Sequence, residues 1–148
     1  TTEIYTLSLH DALPIYMLNR RPERIGLVDE MKRQKRGIVA YGPLAEGLLS
    51  DRYLDGVPAD FAIHPTSKYV MQAGADKVTE DLNKLNDIAK KRGQTLSQMA
   101  LAWLLRDPVV SSVIIGTTNI DHLQDNLEAA KNIRFDQEEL DAIDEITK

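Results

Sequence analysis

Two short stretches hold residue types that could grip a ligand: AYGPLAEGLL, Ala40–Leu49, and VIIGTTNIDHLQDNLEAA, Val113–Ala130. In the first, Tyr41 ends an apolar run and meets the turn formers Gly42 and Pro43. An aromatic there can stack on a flat ring while the turn offers backbone hydrogen-bonding groups. In the second, the apolar run stops at Gly116, which lets a ligand approach the backbone closely. Thr118 is the expected cap of the helix that follows, whose free amides and dipole attract an anion such as phosphate. Each stretch taken singly has a plainer account: Tyr41 as a core aromatic before a tight turn, and Gly116-Thr117-Thr118 as an ordinary strand-to-helix junction.

Both stretches need strands and helices to position them. Pro22 suits a first helical position, and Ile25, Leu27, Val28 and Met31 give a helix over about 22–36, ending in the cations Lys32, Arg33, Lys35 and Arg36 and closed by Gly37. Ile38-Val39-Ala40-Tyr41 reads as a short buried parallel strand. An irregular stretch from about Ser50 to Gly74 contains Pro58 and Pro65, and loops of that length are usually functional or disordered. Val78, Leu82, Leu85, Ile88 and Ala89 then mark one face of a helix from Asp76 to about Arg92, closed by Gly93. Leu96 to Leu105 is a second, mostly apolar helix stopped by Asp107-Pro108, and Val109 to Ile115 supplies another buried strand. A helix through about Ala130 follows, then one from Asp136, where Asp136 and Glu139 have capping-box spacing and Leu140, Ile143 and Ile146 form the apolar face.

Strands alternating with helices indicate a parallel α/β fold, yet two strands leave both sheet edges open. Composition narrows the function. The net charge is −5, and Glu3 and Asp11 account for two of those charges, which leaves −3 on the rest; nucleic acid and anionic membranes are poor partners for it. There is no cysteine, which excludes disulfides and thiolate metal sites and suits a reducing cytoplasm. No carboxylate–histidine spacing indicates a metal site; His64 belongs to the long loop and is expected to be exposed, and the acidic last helix reads as a solvated face.

The first fifteen residues, TTEIYTLSLHDALPI, fit neither a signal sequence nor a membrane span. Their codons can be written so that the stretch resembles a short-read sequencing adapter translated in one frame. Residues 1–15 are accordingly expected to be foreign to the fold, with residues 16–148 forming the domain. Tyr5 and His10 are given no role.

Tyr16-Met17-Leu18-Asn19-Arg20, GPLAEGLLSDRYLDGVP, RGQTLSQMALAWLLRDP and VSSVIIGTTNIDHLQDN, in that order, resemble the C-terminal half of the aldo-keto reductase family. The resemblance is to the bacterial glyceraldehyde-phosphate reductase-like enzymes and the potassium-channel β-subunits. It implies an incomplete (β/α)8 TIM barrel, the last βα units plus C-terminal helices, with NADP lying across the C-terminal face of the strands. Tyr41 matches the aromatic that stacks on the nicotinamide. Gly42, Pro43, Leu44, Ala45 and Glu46 match the loop along the pyrophosphate, and Arg52 a base that reaches its phosphates. Gly116, Thr118, His122, Asp125 and Asn126 match the adenosine end.

This chain departs from the family pattern at several of these places. His122 stands where Gln is common, Asp125 where Glu is common, and a loop Arg is replaced near Ala62. No Lys or Arg occurs between Thr117 and Asn126 to pair with a 2′-phosphate, so NAD stays open beside NADP. The Gln that holds the carboxamide would precede Tyr16. The family's catalytic Asp, Tyr, Lys and His come from the first four strands, so no catalytic residue is assigned. The resemblance implies a parent that reduces an aldehyde or ketone by hydride transfer, with this chain inactive. A non-catalytic, channel β-subunit-like role and a small nucleotide-binding module are the alternatives.

Overall fold

A computed structural model describes residues 17–18, 21–58 and 72–147. His64, Pro65 and Ala62, and all of residues 1–15, lie outside the described residues. The elements are α1 (Arg21–Arg24), α2 (Leu27–Arg33), β1 (Ile38–Tyr41), α3 (Ala75–Lys91), α4 (Leu96–Leu105), β2 (Val110–Ile114), α5 (Ile120–Leu127) and α6 (Gln137–Ile146). Short 3-10 turns occupy Ala45–Gly47, Asp51–Tyr53 and Glu128–Lys131.

The first helix expected from the sequence is two. Gly26 takes a left-handed conformation (φ 76°) and breaks the run between α1 and α2, because only glycine adopts that backbone without a Cβ penalty. The stop at the other end also moves. Lys35, not Gly37, holds the left-handed position (φ 55°), and the Lys35 and Arg36 amides donate to the Lys32 and Met31 carbonyls in a Schellman arrangement. Gly37 serves a different purpose. A Cβ placed on it would lie 2.0 Å from Ser111 Oγ, so the missing side chain admits β2.

β1 and β2 pair in parallel, with Ile38 opposite Val110, Val39 opposite Ser112 and Tyr41 opposite Ile114. The register slips between Ile38 and Val39, which leaves Ser111 as the extra residue beside Gly37. Neither strand is buried on both faces as the sequence led us to expect. Ile38 and Ala40 face the core, whereas Val39 is 56% exposed and Ile114 54% exposed. Burying both faces needs layers on both sides, and among the described residues the helices pack on one.

That packed side is built around α4, which buries eight of its ten residues and so has apolar neighbours nearly all round. Val78, Leu82, Leu85 and Ala89 of α3 and Ile143 of α6 close on Leu96, Met99, Ala100, Trp103 and Leu104. Full burial of each valine, leucine, isoleucine or methionine among them contributes about 1.5–3 kcal/mol. Gly93 (φ 68°) ends α3, as its position in the sequence required.

Arg92 fastens α6 to this core. Its side chain is 3% exposed, Nη1 donates to Glu139 Oε2 at 2.5 Å, and Nη2 donates to the Asn132 and Arg134 carbonyls at 3.1 and 3.0 Å. The guanidinium also lies 3.6 Å from the Phe135 ring centroid. The Asp136–Glu139 capping box is formed in both directions.

Candidate functional site

The C-terminal ends of β1 and β2 open into one cleft of about 800 Å³. One wall is the segment after β1, the other the end of β2 and the start of α5, and Thr95 and Ser97 at the head of α4 line it as well. Parallel strands bring their C-terminal loops to one edge, which is why residues seventy positions apart in the chain meet there.

The wall after β1 is a strained turn. Gly42, Ala45, Glu46 and Gly47 all have positive φ, from 52° to 89°. For Ala45 and Glu46 that conformation costs about 1 kcal/mol or more each. Burial holds it in place: Ala45, Leu48 and Leu49 sit in the hydrophobic core. Leu49 N donates to the Leu44 carbonyl, Ser50 Oγ to the Gly47 carbonyl at 2.5 Å, and Ser97 Oγ to the Leu49 carbonyl at 3.1 Å. The turn thus presents backbone to the cleft on a rigid base.

Tyr41 lines the cleft and is 37% exposed, so its ring is available and is not the core aromatic of the plainer account. Gly42, Pro43, Leu44 and Glu46 line the same wall. Ala45 does not; it anchors the turn from below. Arg52 completes this wall, exposed, with its guanidinium 5.4 Å from the Tyr53 ring centroid. Its backbone N–H is capped by Ser50 Oγ.

On the second wall Gly116, His122, Asp125 and Asn126 line the cleft. Thr118 does not; Thr117 takes that place. The cap assigned to Thr118 also falls elsewhere, on Asn119, whose side-chain oxygen accepts from the Asp121 amide at 2.8 Å. Thr117 Oγ1 in turn accepts from the Asn119 amide, so this loop folds on its own side chains and part of the helix end's anion-attracting capacity is already used.

Asp125 has a structural partner that its match to the adenosine end did not reveal. Gln98 Nε2 donates to its Oδ1 at 2.8 Å and to its backbone carbonyl at 3.1 Å, and Thr95 Oγ1 donates to its Oδ2 at 3.3 Å. Thr95 and Gln98 are themselves the capping box of α4. The spacing T-x-x-Q in RGQTLSQM signals such a box, whereas the tie to Asp125, some thirty residues on, leaves no mark in the local sequence. The tie orients α5, which buries no residue of its own. Ten of the twelve candidate residues therefore share the cleft, joined by Ser50, Asp51, Thr95, Ser97 and Thr117. No cluster of His, Cys, Asp and Glu that could hold a metal occurs among the described residues.

The profile of the aldo/keto reductase family matches residues 12–148. The chain belongs to the aldo/keto reductase family. The matched span includes Ala12 to Ile15, the last four residues of the stretch set apart at the N-terminus. L-glyceraldehyde 3-phosphate reductase of Escherichia coli O157:H7 is 39% identical over 133 residues, which is 87% of this chain and 38% of that protein. A probable voltage-gated potassium channel subunit beta of Arabidopsis thaliana is 36% identical over 96 residues, 63% of this chain and 29% of that one. Among solved structures, the thermostable aldo-keto reductase Tm1743 in complex with the inhibitor epalrestat superposes with a TM-score of 0.63 at 27% identity, covering 90% of this chain and 38% of that one. The holo form of aldo-keto reductase AKR11C1 from Bacillus halodurans gives 0.68 at 24% identity, covering 91% and 41%. The chain thus spans about two-fifths of the length of these reductases. Its fold is part of the (β/α)8 barrel of aldo-keto reductases, and the cleft lies at the C-terminal ends of the strands, where barrel sites are placed.

Proposed function

We propose that this chain forms the dinucleotide-binding part of an NAD(P)H-dependent reductase that converts an aldehyde or ketone to the alcohol. The observation that carries the reading is the single cleft that gathers Tyr41, the Gly42–Gly47 turn, Arg52 and the α5 residues from two strand ends. Its volume is in the range of small-molecule and cofactor sites. The donor set fits a dinucleotide. Tyr41 offers an aromatic face for the nicotinamide, the strained turn offers backbone for the pyrophosphate, and Arg52 offers one permanent cation to its charge. On this reading His122, Asp125 and Asn126, which line the opposite wall, would meet the ribose and adenine. When bound, the reduced nicotinamide supplies the hydride.

The residues of this chain hold and orient; they do not move the proton. Among the described residues no lysine lines the cleft beside Tyr41, which supports a holding role. On this reading the chain binds dinucleotide without turning over a carbonyl. NADP(H), in the cytoplasm, is the cofactor that the resemblance implies, and the similarity to L-glyceraldehyde 3-phosphate reductase supports a small aldehyde as substrate of the whole protein. A non-catalytic, channel-associated role is the second reading, supported by the similarity to a probable potassium channel β-subunit. Carbonyl turnover by the longer protein separates the two.

The test is a titration of the chain with NADPH, followed by calorimetry. Saturable binding is expected, weakened about tenfold in Tyr41→Ala through loss of ring stacking. Absence of binding to any pyridine dinucleotide at millimolar concentration would sink the proposal. Carbonyl-dependent oxidation of NADPH by the chain alone would overturn its non-catalytic part.

A further inference from the structure

Within the proposed dinucleotide cleft, on which this inference rests, the charges are unevenly placed. Arg52, on the wall after β1, is the only Lys or Arg lining the cleft among the described residues, and it shares that wall with Glu46 and Asp51. The α5 wall presents His122, Asp125 and Asn126, with no Lys or Arg anywhere from Thr117 to Asn126. Asp125 is held at the cleft by Gln98 and Thr95, so its carboxylate does not swing away to make room for an anion. The helix end beside it has already given the Asp121 amide to Asn119.

Ribose hydroxyls and a 2′-phosphate ask for opposite groups. A carboxylate accepts hydrogen bonds from ribose hydroxyls, and an arginine fork grips a phosphate. A phosphate dianion set against a fixed carboxylate in a partly enclosed cleft is repelled. We infer that the adenosine end of this cleft selects for a free ribose, so that the chain takes NAD(H) at least as readily as NADP(H). His122 is then the residue that sets cofactor specificity. Asp125 would accept from the ribose hydroxyls, and a permanent cation in place of His122 would be available to a 2′-phosphate.

The experiment is calorimetric titration of the full chain with NAD+ and, separately, NADP+ at one fixed ionic strength, repeated on His122→Arg. The expected result is that NAD+ binds at least as tightly as NADP+. His122→Arg should then tighten NADP+ about tenfold and leave NAD+ within about twofold. Because the variant gains affinity, loss of folding cannot imitate the result. NADP+ bound more tightly than NAD+ by the unaltered chain overturns the inference and leaves the dinucleotide site standing. An unchanged NADP+ affinity in His122→Arg overturns the placement of His122. Binding of neither dinucleotide overturns the cofactor site itself, and this inference with it.

Discussion

Leu82 and Leu85 on α3, and Val39 and Ile114 on the sheet, are residues of the same kind with opposite fates. The two leucines are fully buried, whereas Val39 and Ile114 are more than half exposed. Sequence chemistry alone does not separate them. What separates them is the number of layers: α3, α4 and α6 enclose one another and one face of the sheet, and among the described residues nothing covers the other face. The packed region is held by apolar contact together with buried ionic and cap bonds. The cleft region is a strained turn after β1, pinned from below by Ala45, Leu48 and Leu49, and a helix tied by side-chain hydrogen bonds to the head of α4.

If that contrast is right, the largest effects on stability lie far from the cleft. Arg92→Ala removes the partner of Glu139 and the donors to the Asn132 and Arg134 carbonyls at a nearly inaccessible site. It should cost about 3 kcal/mol or more in chemical denaturation, the range for breaking a buried ion pair. A loss under about 1 kcal/mol would place Arg92 with ordinary surface ion pairs and erase the distinction.

Next comes Gly37→Ala, where the added Cβ meets Ser111 Oγ at 2.0 Å and Ser111 Cβ at 3.2 Å. Rotation of Ser111 relieves part of the clash, so a cost of about 1 kcal/mol is expected. Ser111→Gly in the same chain should recover most of it, a coupling read by a double-mutant cycle. Independent, additive losses would mean that the strands do not approach as closely at this bulge as described.

The smallest effect is electrostatic. Burial alone would raise the carboxyl pKa of Asp107, but the Lys32 ammonium at 2.7 Å, the Val109 amide and the nearby Arg106 together hold it below its ordinary value of 3.8. A lowered pKa in the folded state means that this contribution is fully present above the unfolded value. It is lost as pH falls through the folded one, and so below about pH 4. Asp107→Asn should therefore flatten the acid limb of the stability–pH curve and shift stability at neutral pH by less than about 1 kcal/mol. An unchanged acid limb would remove Lys32 from the account.

Much of the architecture was legible in the sequence, where periodicity is a strong signal. Val78, Leu82, Leu85 and Ala89 fixed α3, and Asp136 with Glu139 fixed the start of α6. Where the reading failed, glycine or exposure was the cause. Gly26 looked like one more residue in a helical run, because its left-handed φ is a choice of the backbone and leaves no mark on the hydrophobic pattern. Gly37 looked like a helix stop, and its real duty depends on Ser111 from a distant strand. The exposed side of β1 and β2 could not be read from apolar runs, which announce a strand but not what covers it. In the cleft, Tyr41 was singled out by type and position and Arg52 only through the family resemblance; both line it. Thr118 was chosen where Asn119 caps, since both residues are good caps and only the local fold decides between them.

Helix α5 contributes no buried residue, and it is oriented through Asp125 by the cap of its neighbour. Substitutions at its outward positions Ile120, Asp121, His122 and Gln124 therefore fall in the class that usually shifts stability by no more than about 0.5 kcal/mol. Of these only His122 lines the cleft, so the group presented there can be changed while the core stays as it is. Natural drift or deliberate selection can change what this cleft accepts without first having to find a more stable protein.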